Sequence, residues 1–180
     1  MINNTVQIEK ALEAVSPGDG GGSIPTSTLP YHDPSDVQLS RHFWLSEFTR
    51  SATAIKRGID NTPDIEDIES LQSLCINVLE PLRERFGVIR ITSGYRSPML
   101  NSMVHGSPTS QHMKGQAADI YVCSTEVAKK YFNFIRENLV FDQMLLEMKD
   151  DRGVGKVHCL HVSFNNEGVN RKIAKSYYHV

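Results

Sequence analysis

Between Thr62 and Gly87 the apolar residues recur at helical spacing over several turns, and no other stretch of the chain is so narrowly determined. Ile65, Ile68, Leu71, Leu74, Cys75, Val78, Leu79, Leu82 and Phe86 fall on one stripe. A helix with such a stripe has to bury it against a second layer of structure. Thr62-Pro63 supplies a cap followed by a first-turn proline, and Gly87 closes the helix. Pro81 lies inside the stripe, where it is expected to bend the helix or to leave the carbonyl of Asn77 without its usual donor.

The second layer reads as strands. Residues 87–92 carry β-branched side chains at 88, 89, 91 and 92, and residues 117–122, 141–148 and 157–164 follow as further strands. The last two are separated by a polar loop containing Gly153 and Gly155. Ser97-Pro98 opens a short helix, and Ser124 caps another over about 125–138 that buries Val127, Ala128, Tyr131, Phe132, Ile135 and Leu139. Phe43-Trp44-Leu45 forms an aromatic anchor just ahead of Ser46-Glu47-Phe48. Helices come first and neighbouring strands last, which predicts an α+β domain with a mainly antiparallel sheet packed with helices. Residues 16–38 are rich in Pro, Gly, Ser and Thr and cannot bury much apolar surface. The reading is therefore an arm over 1–37, with a short helix near 5–15, and a folded domain over 38–180.

The bulk properties narrow the function. A length of 180 residues with 39% hydrophobic content supports one domain with a real core. A net charge of -2 and a pI near 6.4 carry no electrostatic footprint for nucleic acid or for an anionic membrane. No stretch is long and apolar enough to insert into a membrane, and the first residues have neither a basic nor an apolar leader region. The expectation is a monomer made in the cytoplasm without a signal peptide. Cys75, Cys123 and Cys159 have no CxxC spacing and suit buried positions in a reduced compartment, with a Cys123–Cys159 contact the minor alternative.

The residues that carry chemistry are His112, Asp119 and His161. Two imidazoles and one carboxylate form a three-ligand set that suits a catalytic Zn2+ ion with its fourth position open. Gly115 and the small pair Ala117-Ala118 argue that the span from His112 to Asp119 is a tight loop feeding a strand. His161 then arrives from a different strand.

Ser93-Gly94-Tyr95-Arg96-Ser97-Pro98, then Leu100-Asn101, then Ser110-x-His112-x-x-Gly115-x-Ala117-x-Asp119 resemble the M15 zinc metallopeptidases. That group includes D-alanyl-D-alanine carboxypeptidases and phage endolysin peptidases with a hedgehog/DD-peptidase-like fold. The likeness runs over about residues 38–172 and includes Leu39-Ser40-x-His42-Phe43, Asp142-Gln143 and His161-Val162-Ser163. The resemblance implies hydrolysis of a peptide bond in bacterial peptidoglycan, with His112, Asp119 and His161 as zinc ligands. It implies that Arg96 binds a substrate carboxylate or the developing oxyanion. Ser110 is placed at the substrate cleft, with Tyr95, Gln111 and Ser93 as contacts or supporting residues. The site of action would be the cell wall, reached by phage-type release.

The general base departs from the pattern. Many relatives carry Glu or Asp three residues before the last histidine ligand, and this chain has His158 there. Positions 158 and 161 of a regular strand face opposite sides, so His158 reaches the metal only across a bulge or bend. Glu147, on the preceding strand and in phase with Gln143 and Leu145, is the preferred base, with His158 second. A chain lacking a working base would instead be a non-catalytic, zinc-stabilised wall-binding or virion module. His105-Gly106 reads as a turn in the loop before the zinc motif. His32, His42 and His179 read as surface or packing residues, and Arg171-Lys172 as a solvated terminal segment.

Overall fold

The computed structural model describes residues 35–150 and 155–178, with side chains described for 35–146 and 159–176. The helix expected near 5–15 and most of the arm lie outside the described residues, as do His32 and His179.

A short ribbon of β1 (Gln38–Ser40) and β2 (Phe43–Trp44) leads into α1 (Leu45–Thr49) and α2 (Ala52–Arg57). The long helical segment follows as α3 (Ile65–Leu74), one π-helical stretch (Cys75–Leu79) and α4 (Glu80–Phe86). Then come β3 (Ile91–Ser93), α5 (Pro98–Met103), a 3-10 turn (Gln111–Lys114), β4 (Ala117–Tyr121), α6 (Thr125–Asn138), β5 (Gln143–Asp150), β6 (Gly155–Ser163) and β7 (Ile173–Tyr178). The main sheet has five strands in the order β3-β4-β6-β5-β7. Every pairing is antiparallel except β5 with β7. This is the expected α+β fold with an antiparallel-dominated sheet.

The long stripe is the spine of the core. Leu71, Leu74, Cys75, Val78, Leu79 and Leu82 are fully buried, each leucine stabilising the fold by about 1.5–3 kcal/mol. They join Ile120, Leu160 and Val162 of the sheet and Ala128 and Ile135 of α6 in one cluster. Phe43 and Phe48 meet edge to face at 6.0 Å in the same cluster, as expected of the aromatic anchor. Ile65 departs from the expectation: it is the first helical residue and points to solvent.

The start of this helix is also displaced. Asp64 is the cap, its carboxylate accepting from the amide of Asp67 at 2.9 Å, while the Thr62 hydroxyl is spent on Asp60. At Pro81 the helix neither breaks nor simply loses a bond. Proline has no N–H, and its ring would strike the carbonyl four residues back. The turn ahead of it widens instead, with the amide of Glu80 reaching the carbonyl of Cys75 five residues away.

Two further corrections concern ion pairs. His42 is a partner of Glu80, at 2.7 Å from Nδ1 to Oε2, rather than a packing or surface residue. Ser40 and the His42 amide donate to the other Glu80 oxygen, and this satisfies a carboxylate only 9% exposed. Arg171 and Lys172 are exposed, as expected, but they lead directly into β7 rather than into a loose tail, and Arg171 is held by an ion pair. Arg171 Nε donates to Asp142 at 2.8 Å, and the Arg171 amide donates to the same carboxylate. Asp142 is 2% exposed, so it needs a cationic partner, and the pair ties β7 to the start of β5. The three cysteines form no disulfide.

The Arg171 hydrogen bonds hold the Asp142 carboxyl below the usual carboxylate range. A group whose folded pKa is depressed stabilises above its unfolded value and loses that contribution as pH falls. Arg171→Ala should therefore cost about 1–3 kcal/mol at neutral pH. The difference from wild type should shrink as pH falls below about 4, measured by urea denaturation across that range.

Candidate metal centre

The alternation of β4 separates core from site. Ala118 and Ile120 are fully buried among the apolar residues, while Asp119 between them turns to the opposite face. β6 does the same, with Leu160 and Val162 inside and His161 outside. Register then brings the pieces together: Asp119 lies directly across from His161, and His161 across from Leu145. Direct cross-strand partners share a face. His161 Nδ1 stands 2.8 Å from Asp119 Oδ1.

His112 comes from the 3-10 turn, as the tight loop into a strand anticipated. Gly115 ends that turn at φ 63, and a Cβ there would stand 2.1 Å from the Asp67 carbonyl oxygen. Both the left-handed backbone and the close approach exclude any side chain. The His112 ring is 3% exposed, and its Nδ1 donates to the Gly94 carbonyl at 2.6 Å. Gly94 is equally constrained, since a Cβ would meet Phe48 at 2.6 Å. The carbonyl can only accept, so Nδ1 carries the hydrogen and Nε2 of the neutral ring presents a lone pair. That Nε2 is 3.3 Å from Asp119 Oδ1. The candidate ligand atoms of His112, Asp119 and His161 all lie within 4.8 Å of one another.

Asp119 is gripped on its other side by Arg96, whose Nη2 donates to Oδ2 at 2.7 Å while Nε donates to Ser93 Oγ at 2.9 Å. Burial pushes the Asp119 carboxyl up, but its neighbours His112 and His161 outweigh it and hold the group ionised, well below the usual range.

The three residues open into a cleft of about 690 Å³. Ser110, Gln111 and Arg96 line it, as expected. Gln111 helps hold the Asp142 carboxyl down, and Arg96 is engaged with Asp119, so both act on the walls of the site as it stands. Tyr95 does not line this cleft; it sits in the core, 7% exposed. Burial and the hydrogen bond to Asp67 push its phenol up to about 12. Its burial supports a structural role, and the wall it lines belongs to an adjoining cavity. His105 does line the cleft, at φ 57, left-handed for a residue other than glycine.

For the two base candidates the backbone register is informative. Glu147 is opposite Cys159, two positions along β5 from the Leu145–His161 pair. The next pair is Met148 with Val157, which leaves His158 as the extra residue of a bulge on β6. Their side chains lie outside the described residues.

Sequence reasoning missed Arg171 and Cys159 as cleft residues. For Arg171 a signal existed: Asp142 sits in an apolar strand context and demanded a cation from somewhere.

A sheet-borne carboxylate, two histidines and an arginine around an open cleft define a candidate metal-dependent hydrolase. A protein-family model described as Peptidase M15 matches residues 41–158, more than half of the chain, and the chain belongs to that peptidase family. The match includes Arg96, His112 and Asp119 and ends short of His161, which the β4–β6 pairing supplies. Comparison with curated proteins finds no match.

Gly115→Ala should destabilise the domain by about 2 kcal/mol or more, through the left-handed backbone and the contact with Asp67. Thermal unfolding would measure this. A variant as stable as wild type would show that the turn relaxes freely.

Proposed function

We propose that this chain is a zinc-dependent peptidase that hydrolyses a peptide bond in peptidoglycan stem peptides or cross-links, acting at the cell wall. The observation that carries the metal reading is the facing of two acceptors. The lone pair of His112 Nε2 and the carboxylate oxygen of Asp119 stand 3.3 Å apart. Two acceptors at that distance call for a cation between them. Ligand atoms around tetrahedral zinc, with bonds of about 2.0–2.1 Å, are spaced on the order of 3.3 Å apart. The mixed N,N,O donor set suits zinc and leaves a position open toward the cleft.

Bound by His112, Asp119 and His161, zinc would supply an acidified water and Lewis-acid polarisation of the scissile carbonyl. The chain's own residues do the rest. Gly94 holds the His112 tautomer, and Arg96 fixes the Asp119 carboxylate so that Oδ1 faces both histidines. Arg96 also lines the cleft, where its guanidinium can share in stabilising negative charge on the reacting carbonyl oxygen. Ser110 lies on the same wall and contacts substrate. Glu147 is the general base, supported by its register beside the Leu145–His161 pair. It takes the water proton and delivers it to the leaving amine. His158, at the bulge, is the second candidate for that proton. Membership of a peptidase family and the open cleft favour this reading over a non-catalytic binding module.

The test is hydrolysis of defined muropeptides, with products identified by mass spectrometry and metal content measured on the same sample. Turnover should disappear with chelator and return with zinc. Glu147→Ala should retain zinc and lose about 10²–10⁴-fold in kcat; a fully active variant would move the base to His158. Arg96→Gln should weaken zinc affinity by about 10–100-fold, read by competition with a chelating dye. Failure to cleave any stem peptide while zinc-loaded would overturn the peptidase assignment.

A further inference from the structure

A second cavity, of about 360 Å³, adjoins the metal cleft and shares Arg96 and Val104 with it. Its floor includes Phe48 and Leu100, both fully buried. Around that apolar floor stand Arg50, Ser51, Thr53 and Ser93, and no aspartate or glutamate lines the cavity.

Apart from Thr92, whose hydroxyl donates to the Asp119 carbonyl, the hydroxyls of this wall keep a proton to offer. Ser51 Oγ accepts from the amide of Ala54, and Ser93 Oγ accepts from Arg96 Nε. Each hydroxyl therefore keeps its own O–H to donate. The Thr53 hydroxyl makes no bond among the described residues, and neither does the Arg50 guanidinium, which is exposed. Arg96 is different: its Nε and Nη2 are already committed to Ser93 and Asp119. The wall thus offers a guanidinium and three hydroxyl donors, with no negatively charged side chain among them.

The geometry points to a subsite for a carboxylate on the substrate peptide, bound by Arg50 and the Ser51, Thr53 and Ser93 hydroxyls, away from the bond being cut. A guanidinium fork matches a carboxylate with two parallel hydrogen bonds, and the hydroxyls fill the remaining lone pairs. The apolar floor suits the aliphatic stem of an acidic residue. The occupant is part of the substrate because the two cavities are neighbours, with Arg96 and Val104 lining both. A peptide lying across Arg96 would place one residue at the metal and a neighbouring one here. This inference rests on the peptidase reading and adds to it a preference for acidic peptides.

The test uses the zinc-loaded full chain and pairs of acetylated peptides that differ by one carboxylate against its carboxamide, at positions on either side of the cleaved bond. Calorimetric binding and hydrolysis are measured separately. At one of these positions wild type should bind the acid about five- to tenfold more tightly than the amide, and less so in high salt. Arg50→Gln should bring that ratio to near one, and Arg50→Glu should favour the amide. Matching melting temperatures would show that both variants are folded. A ratio near one in wild type, or an unchanged ratio in Arg50→Gln, overturns the subsite. Turnover without acid preference removes the subsite alone, whereas acid preference without turnover removes the peptidase reading and leaves the subsite.

Discussion

Asp119 sits mid-strand as an ionised carboxylate with its side chain only 15% exposed, a place where an isolated charge could not remain. Three parts of the chain converge to keep it there. Arg96, from the segment after β3, takes Oδ2, and the two histidines, from the 3-10 turn and β6, face Oδ1. The division of the two oxygens is the consequential point. One is neutralised by a permanent cation, and the other is left facing the lone pair of His112 Nε2 at 3.3 Å and a ring nitrogen of His161 at 2.8 Å. Much of the local sequence serves this arrangement: Gly94 lets its carbonyl reach His112, Gly115 turns the chain into β4, and Ser93 steadies the guanidinium.

The core sets the geometry of this carboxylate because both are read from the same strands. Ala118 and Ile120 on β4, and Leu160 and Val162 on β6, bury the inner face of the sheet. A slip of one residue in either strand would drive Asp119 or His161 into apolar packing and expose the core residues. The cost of such a slip pins the pairing of Asp119 with His161 to better than one residue. Stability and site geometry are therefore the same constraint on β4 and β6. On the 3-10 turn they are separate, and the burden there falls on glycine conformations and on a single carbonyl acceptor.

What could be read from the sequence follows the same division. The stripe from Leu71 to Leu82, α6 with its Ser124 cap, and β4 carry strong periodic or capping signals, and they appear where expected. The trio of His112, Asp119 and His161 was legible because residue type and spacing are nearly sufficient to define a ligand set, and the structure brings the three together. Features that depend on a distant partner were not legible. β7 has a weak pattern on its own and is fixed by parallel pairing to β5 and by the ion pair of Arg171 with Asp142. His42 has no local signal for its bond to Glu80, which lies 38 positions away. Pro81 was recognised as a fault in the helix, but the form of the repair, a widened turn, depends on how neighbouring carbonyls find donors.

The walls of the cleft obey a different logic from its floor. The floor is sheet, held by core packing, whereas one wall is the loop from Val104 to Ser110. That loop is not loose. Asn101, 3% exposed, donates from its side-chain Nδ2 to the Ser107 carbonyl, and its backbone carbonyl accepts from the Gly106 amide. This clamp over-determines the backbone, which allows His105 between its anchors to persist at φ 57, a conformation costing an ordinary residue on the order of 1 kcal/mol. A strained backbone survives only where its surroundings hold it. Here the surroundings present an imidazole at the rim of a site that already uses two others to face a carboxylate. The cleft wall and the His-Asp-His cluster are thus held by separate means: a loop braced by one buried amide on one side, and strand register on the other.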